Sequence, residues 1–311
     1  MEKQITDTIL MIRPVNFRMN EQTAVNNYYQ KVLDNLLPET VQARAQQEFD
    51  AFVEKLRAVG VNVIVVDDTK TPDTPDSIFP NNWISFHSNA TVALYPMFAE
   101  NRRLERREEI LEAVEQQGFH IDNIVDYTSA EEDGVFLEGT GSMVLDRVNR
   151  KAYCALSPRA DEELLIEFCE NFEYTPVIFT AFQTVESERK AIYHTNVMMC
   201  VAETFAVICL DAIDDKKERR NVIKHLKEDG KEIVAIAEAQ VNSFAGNMLQ
   251  VEGKNGEKYL VMSEAAHKSL LPEQKKSIEK NCKILSSPLD VIEACGGGSA
   301  RCMMAEVFLP R

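Results

Sequence analysis

Five polar residues recur along this chain at intervals of 53 to 56 positions: Asn82, Glu138, His194, Asn247 and Cys302. Each sits in a short polar motif: PNNW at 80–83, LEGTGS at 137–142, YHTN at 193–196, SFAGN at 243–247 and GGGSARC at 296–302. A thiol, an imidazole and a carboxylate are the parts of a nucleophilic site, in which the thiolate attacks, the imidazole moves protons and the carboxylate fixes the imidazole. Cys302 follows Gly296, Gly297, Gly298 and Ser299, a run that permits backbone conformations other residues avoid and lets a ligand approach closely. His194, flanked by Tyr193 and Asn196, is the base or acid. Glu138, between an apolar run and Gly139, is expected to orient that imidazole, raise its pKa and hold a substrate N–H. The bland reading fits the other candidates: Cys154, Cys169, Cys200, Cys209 and Cys282 read as small core residues, and His87, His120, His225 and His267 as packing or surface residues. Cys295 stands at the end of a short expected helix, 288–294, just before the glycines.

Positioning these residues requires a regular scaffold. Val41, Ala45, Phe49, Phe52, Val53 and Leu56 fall on one face of a helix over 39–59, stopped by Gly60. Further helices are expected over 102–117, 158–172, 214–229 and 272–281. β-rich runs lie between them: 8–12, 61–66, 83–87, 91–95, 135–138, 142–146, 194–201, 204–210, 246–252, 258–262 and a last strand over roughly 301–309. After Asn82, Val135, His194 and Gly246 the order strand, strand, helix, strand recurs, with KAYCAL as one extra strand in the second unit. The fifth unit is completed by pairing the C-terminal strand with TILMI. The expected architecture is α/β: one domain over 1–311, a five-bladed propeller of pseudo-fivefold strand-strand-helix-strand units, closed by the termini and leaving few sheet edges exposed. Equivalent positions in such a ring converge on its axis. No glycine-rich phosphate loop follows an early strand, which counts against a common nucleotide-binding sheet.

Composition narrows the function classes. With 45% apolar and 27% charged residues the 311-residue chain reads as a globular, core-forming protein. A formal net charge of −16 disfavours a nucleic-acid partner, since phosphates demand Lys and Arg. No window approaches a membrane span, and MEKQITDTILMIRP has too short an apolar run for a signal peptide. Seven cysteines without a CxxC pair argue against a disulfide framework or a thiolate zinc site and point to the cytoplasm. In ENRRLERREEI (100–110) most arginines read as a solvated helix face paired with Glu105, Glu108 and Glu109, leaving one or two for a substrate carboxylate.

Taken together, MIRPVNF, PDSIFPNNW, LEGTGSMVLDR, IYHTN, SFAGNM and GGGSARCMMAEVFLP span nearly the whole chain. The set resembles the guanidino-group-modifying superfamily, whose pentein fold serves arginine deiminase, dimethylarginine hydrolase and glycine amidinotransferase. Within it, the chain is similar to the citrulline-utilisation hydrolases, the arginine-deiminase-related, amidinotransferase-like proteins. The resemblance implies that Cys302 attacks the central carbon of a guanidino or ureido group. His194 protonates the leaving amine and later activates water, and Glu138 supports it and binds substrate nitrogen. It implies no metal and no organic cofactor, and a small amino acid as the partner; a homo-oligomer is left open. Arg106 is assigned to the substrate carboxylate, and Asn26 with Asn242 or Asn247 to the α-amino end. Arginine deiminases carry aspartates where this chain has Asn82 and Asn196, and an EGGD turn where it has EGTGS. Asparagine offers both a donor and an acceptor, which suits a neutral ureido group. The expected reaction is therefore citrulline to ornithine, ammonia and carbon dioxide. Arginine dihydrolysis or deimination and amidino transfer are the alternatives; relatives bearing PNNW include an arginine dihydrolase. A non-enzymatic binder, as among the ribosome anti-association factors that share the fold, has no need of Cys302, His194 and Glu138 together.

Overall fold

A computed structural model describes residues 2–33 and 36–311. Its strands assemble into five three-stranded sheets and one hairpin. In each sheet two strands pair antiparallel and the third returns parallel after a helix, because a parallel partner needs a crossover connection. Four sheets run in chain order: Ile84–Phe86, Thr91–Leu94 and Asn123–Asp126; Met143–Asp146, Lys151–Ala155 and Thr175–Phe179; Met199–Val201, Phe205–Ile208 and Glu232–Ala235; Leu249–Glu252, Lys258–Ser263 and Lys283–Ser287. The fifth joins the chain ends. Thr8–Arg13 pairs antiparallel with Ala305–Glu306 and parallel with Asn62–Asp67. Leading strands of different sheets touch: Ala305–Glu306 meets Ile84–Phe86, and Met199–Val201 meets both Met143–Asp146 and Leu249–Glu252. Gln4 ties two sheets further, donating to Leu145 O and Val201 O at 2.9 and 3.2 Å.

The crossover helices form where one face is apolar. Pro38–Ala58 starts on a proline, which costs nothing at a helix's first position, and buries Val41, Ala45, Phe49, Phe52, Val53 and Leu56. Gly60 then takes φ +91°, a conformation glycine adopts freely. Glu162–Asn171 begins later than position 158 because Asp161 caps it, accepting from Leu164 N at 3.0 Å. Among the described residues no helix is long and apolar enough to cross a membrane.

Several elements depart from the sequence reading. The run over 135–138 is not a strand: only Leu137 makes an isolated bridge, and the chain turns at Gly139 with φ +46° into the short helix Gly139–Ser142. KAYCAL is therefore the middle strand of its sheet, not an extra one. The helix over 102–117 splits into Glu100–Arg103 and Glu108–Glu115. Leu104 is half exposed, while Arg102 and Glu105 sink into the protein and pair with each other. Strand structure over 301–309 shrinks to Ala305–Glu306, because residues 301–303 form a turn around Cys302. The hairpin Phe182–Val185 with Glu188–Ala191 has no counterpart in the sequence reading.

Candidate active site

Each of the five recurring residues sits where the chain enters a leading strand. Asn82 ends the 3-10 turn Pro80–Asn82, Glu138 precedes Gly139–Ser142, and His194 precedes the 3-10 turn Thr195–Val197. Asn247 stands two residues before Leu249–Glu252, and Cys302 lies three residues before Ala305–Glu306. All five are buried. Asn82, His194 and Cys302 line one cavity with Asp76, Arg102 and Arg159. Its empty volume is about 250 Å³.

Cys302 is placed by its turn, its N–H donating to Ser299 O at 3.0 Å. Its sulfur receives Asn247 Nδ2 at 3.2 Å and Asn196 Nδ2 at 3.6 Å. Those amides are themselves held: Asn247 Nδ2 also donates to Asn196 O at 2.9 Å, and Asn196 Nδ2 to Thr140 O at 3.2 Å. Fixed amide dipoles of this kind favour negative charge on sulfur. Gly297 carries φ +62°, and a Cβ there would fall 2.6 Å from Asn27 Nδ2, so the turn demands glycine on both counts.

His194 Nε2 lies 2.7 Å from Glu138 Oε2. Glu138 Oε1 accepts from Phe98 N at 3.0 Å, and Arg159 Nη1 approaches Oε2 at 3.5 Å. Burial pushes the Glu138 carboxyl up, but Arg159 and then the His194 bond outweigh it and hold it well below the carboxylate range. The imidazole pKa is pulled both ways. Burial lowers it most, Glu138 raises it as the sequence predicts, and the charges of Arg159 and Arg102 lower it again, leaving it at about 4. The resting ring is therefore neutral near pH 7. A neutral ring facing a carboxylate carries its proton on Nε2, which leaves Nδ1 as an acceptor. Gly141 makes room at that edge: a Cβ would sit 2.8 Å from His194 Nδ1 and Cε1.

The acceptor end of Asn82 is spent on Arg102, whose Nη1 donates to Oδ1 at 2.8 Å. An arginine only donates, so the amide orientation is fixed; Nδ2 gives one hydrogen to Asn81 Oδ1 at 3.2 Å and keeps the other as a donor. Asp76 Oδ2 accepts from Asn20 and Thr23 at 2.9 and 3.1 Å, while Oδ1 has no partner among the described residues. Burial pushes the Asp76 carboxyl up, against the pull of Arg102.

The chain from residue 13 to residue 309 matches the family of eukaryotic N,N-dimethylarginine dimethylhydrolases. It belongs to that family. That family places the chain among the guanidino-group-modifying enzymes. No curated protein matches it. Solved structures resemble it in fold. The apo form of ArgZ, an arginine dihydrolase from the ornithine–ammonia cycle in cyanobacteria, is 18% identical with a TM-score of 0.74 over 97% of this chain and 41% of that one. The product-bound N-terminal domain of ArgZ is 19% identical with a TM-score of 0.69, over 99% of this chain and 100% of that domain. A variant of dimethylarginine dimethylaminohydrolase, captured as its adduct with S-methyl-L-thiocitrulline, is 14% identical with a TM-score of 0.64, over 97% and 99%. The chain thus spans about two-fifths of the full-length cyanobacterial enzyme.

Three residues assigned to substrate from sequence lie elsewhere in this family member. Arg106 donates to Glu131 at 2.6 and 3.0 Å and to Tyr95 O, outside the cavity. Asn26 does not line the cavity; its Oδ1 accepts from Arg159 Nε at 2.9 Å and so orients that arginine. Asn242 is exposed in a separate hollow beside Tyr28 and Tyr29. Asp76, Arg102 and Arg159 line the cavity instead. Asp76 is the second residue of the PDSIFPNNW motif and Arg102 was one of four arginines in its segment, so both carried a signal; Arg159, in SPRA, carried none.

Proposed function

We propose that this protein hydrolyses a ureido or guanidino amino acid through a covalent intermediate on Cys302, with citrulline as the preferred substrate and ornithine, ammonia and carbon dioxide as products. One observation supports it above the others: His194, buried and paired with Glu138, shares a cavity with a cysteine cradled by two amides. In this reading the neutral imidazole accepts the Cys302 proton, the sulfur attacks the central carbon, and His194 returns the proton to the departing amine. His194 then draws a proton from water, whose oxygen attacks the carbonyl carbon; the C–S bond breaks, the proton returns to sulfur, and the carbamic acid released splits into carbon dioxide and the second amine. Glu138 keeps the ring oriented and steadies its protonated form. The five sheets are read as blades of a closed ring, which is what brings remote residues to one ligand.

Asn82 is the selector. With its acceptor end engaged by Arg102, it offers the substrate an N–H, which suits the carbonyl oxygen of a urea and not the N–H edge of a guanidinium. Arg102 and Arg159 supply positive charge for a carboxylate, and the unpaired oxygen of Asp76 is an acceptor for an ammonium. A second reading, arginine carried through to ornithine, is favoured by the likeness to the cyanobacterial dihydrolase. Product analysis on citrulline, arginine, agmatine and dimethylarginine separates them. The first reading expects ornithine with ammonia from citrulline at the highest kcat/KM. Citrulline accumulating from arginine, with citrulline itself inert, overturns it.

A further inference from the structure

We infer that a second binding site, for a water-sized inorganic anion of the halide class, lies between the guanidinium groups of Arg147 and Arg301. Both line a cavity separate from the candidate active site, together with Gln4, Thr140, Gln250 and Glu306. The two arginines are 2% and 7% exposed, and one carboxylate faces them both. Glu306 serves Arg301 well, accepting from Nη2 at 2.6 Å, and Met304 O accepts from its Nη1 at 2.8 Å. Arg147 is left short. Its Nη2 stands 3.8 Å from Glu306, its Nη1 has no hydrogen-bond partner among the described residues, and its flat face rests 4.0 Å from the Phe308 ring centroid. The nearby buried acid, Asp146, is committed to Lys231 at 3.1 Å and to Asn149.

The cavity wall therefore carries one unbalanced positive charge. A buried lysine could shed its proton, but a guanidinium cannot, and an unpaired buried cation is costly. A counter-ion is the remaining remedy. Charge selects its class: a single unbalanced cation calls for a monovalent ion, and the narrow space between the two guanidinium groups suits one of water size. His87 supports the sign of the local field, since burial first, then Arg147 and Arg150, hold its pKa well below the ordinary value. The site joins the reaction centre through two short links. Arg301 N donates to Asn247 Oδ1 at 3.0 Å, and Thr140, which lines this cavity, accepts from Asn196; both asparagines touch the Cys302 sulfur.

The test uses the intact protein. Crystals soaked in bromide are expected to show an anomalous peak in contact with both guanidiniums. Thermal unfolding in sodium chloride is expected to exceed that in sodium gluconate of equal ionic strength by a saturating shift of about 2 °C or more, and Arg147→Met to abolish the difference. No bromide peak between the two arginines, or wild-type curves that coincide in the two salts, overturns the inference. The wild-type measurements decide the question even if the variant does not fold.

Discussion

At the scale of single residues, the chemistry turns on which polar groups are spent and which are free. Asn82 has its oxygen committed to Arg102 and one N–H to Asn81, so Asn82→Asp exchanges the remaining donor for an acceptor. We expect the citrulline-to-arginine ratio of kcat/KM to fall by about tenfold or more; an unchanged ratio removes Asn82 as the selector. The His194 ring, held down to about 4 against an ordinary 6.5, is already neutral across most of the working range. The acid limb of kcat/KM is therefore expected near pH 4, because only the neutral ring can take the Cys302 proton. A limb centred at 6.5 contradicts this. Stability follows the same sign. Between about 6.5 and 4 the unfolded chain binds the proton that the folded ring refuses, so stability drops as the solution is acidified through that window. Below it the depressed Glu138 carboxyl adds a loss in the same direction. Sequence spacing reached Cys302, His194, Glu138, Asn82 and Asn247 because each unit carries its polar residue at the same point. Arg106 was assigned from the resemblance, because the helix-face argument left one or two of the four arginines for a pocket without saying which; Arg102 is the one pulled inside, by Glu105 and by the carbonyls of Asp76 and Phe79.

Elements position these groups through turns too tight for ordinary side chains. Gly139–Ser142 packs against the turns bearing Asn82 and His194, and Gly141 leaves no space for a methyl group. Gly141→Ala is expected to lower kcat by about 10²-fold or more through displacement of the imidazole, while circular dichroism remains that of the wild type. Wild-type turnover would mean that the His194 edge beside Gly141 is not in use. Truncating the core helix acts differently: Phe52→Ala, in Pro38–Ala58, should cost about 3–5 kcal/mol by denaturant unfolding, since Phe52 is fully buried. That helix was legible from its periodicity. The turn after Leu137 was not, because an apolar run looks like a strand until Gly139 and the buried Glu138 redirect it.

For the molecule as a whole, the order of elements was readable and the depth of the site was not. Counting strands and helices gave the units and the pairing of the two chain ends, which Thr8–Arg13 and Ala305–Glu306 make. Nothing in the spacing told that Asn26 would reach across the fold to hold Arg159, because such contacts join residues 133 positions apart. The acidic surface implied by a net charge of −16 surrounds a cavity lined by Arg102 and Arg159, so overall charge and site charge are independent properties here. The central claim is that one sulfur carries the substrate. Rapid acid quench during turnover of citrulline, followed by peptide mapping in a mass spectrometer, tests it most directly. The account predicts a carbonyl-bearing adduct on the peptide that contains Cys302, lost in Cys302→Ala together with activity. An adduct on any other cysteine, or full turnover by Cys302→Ala, would contradict it.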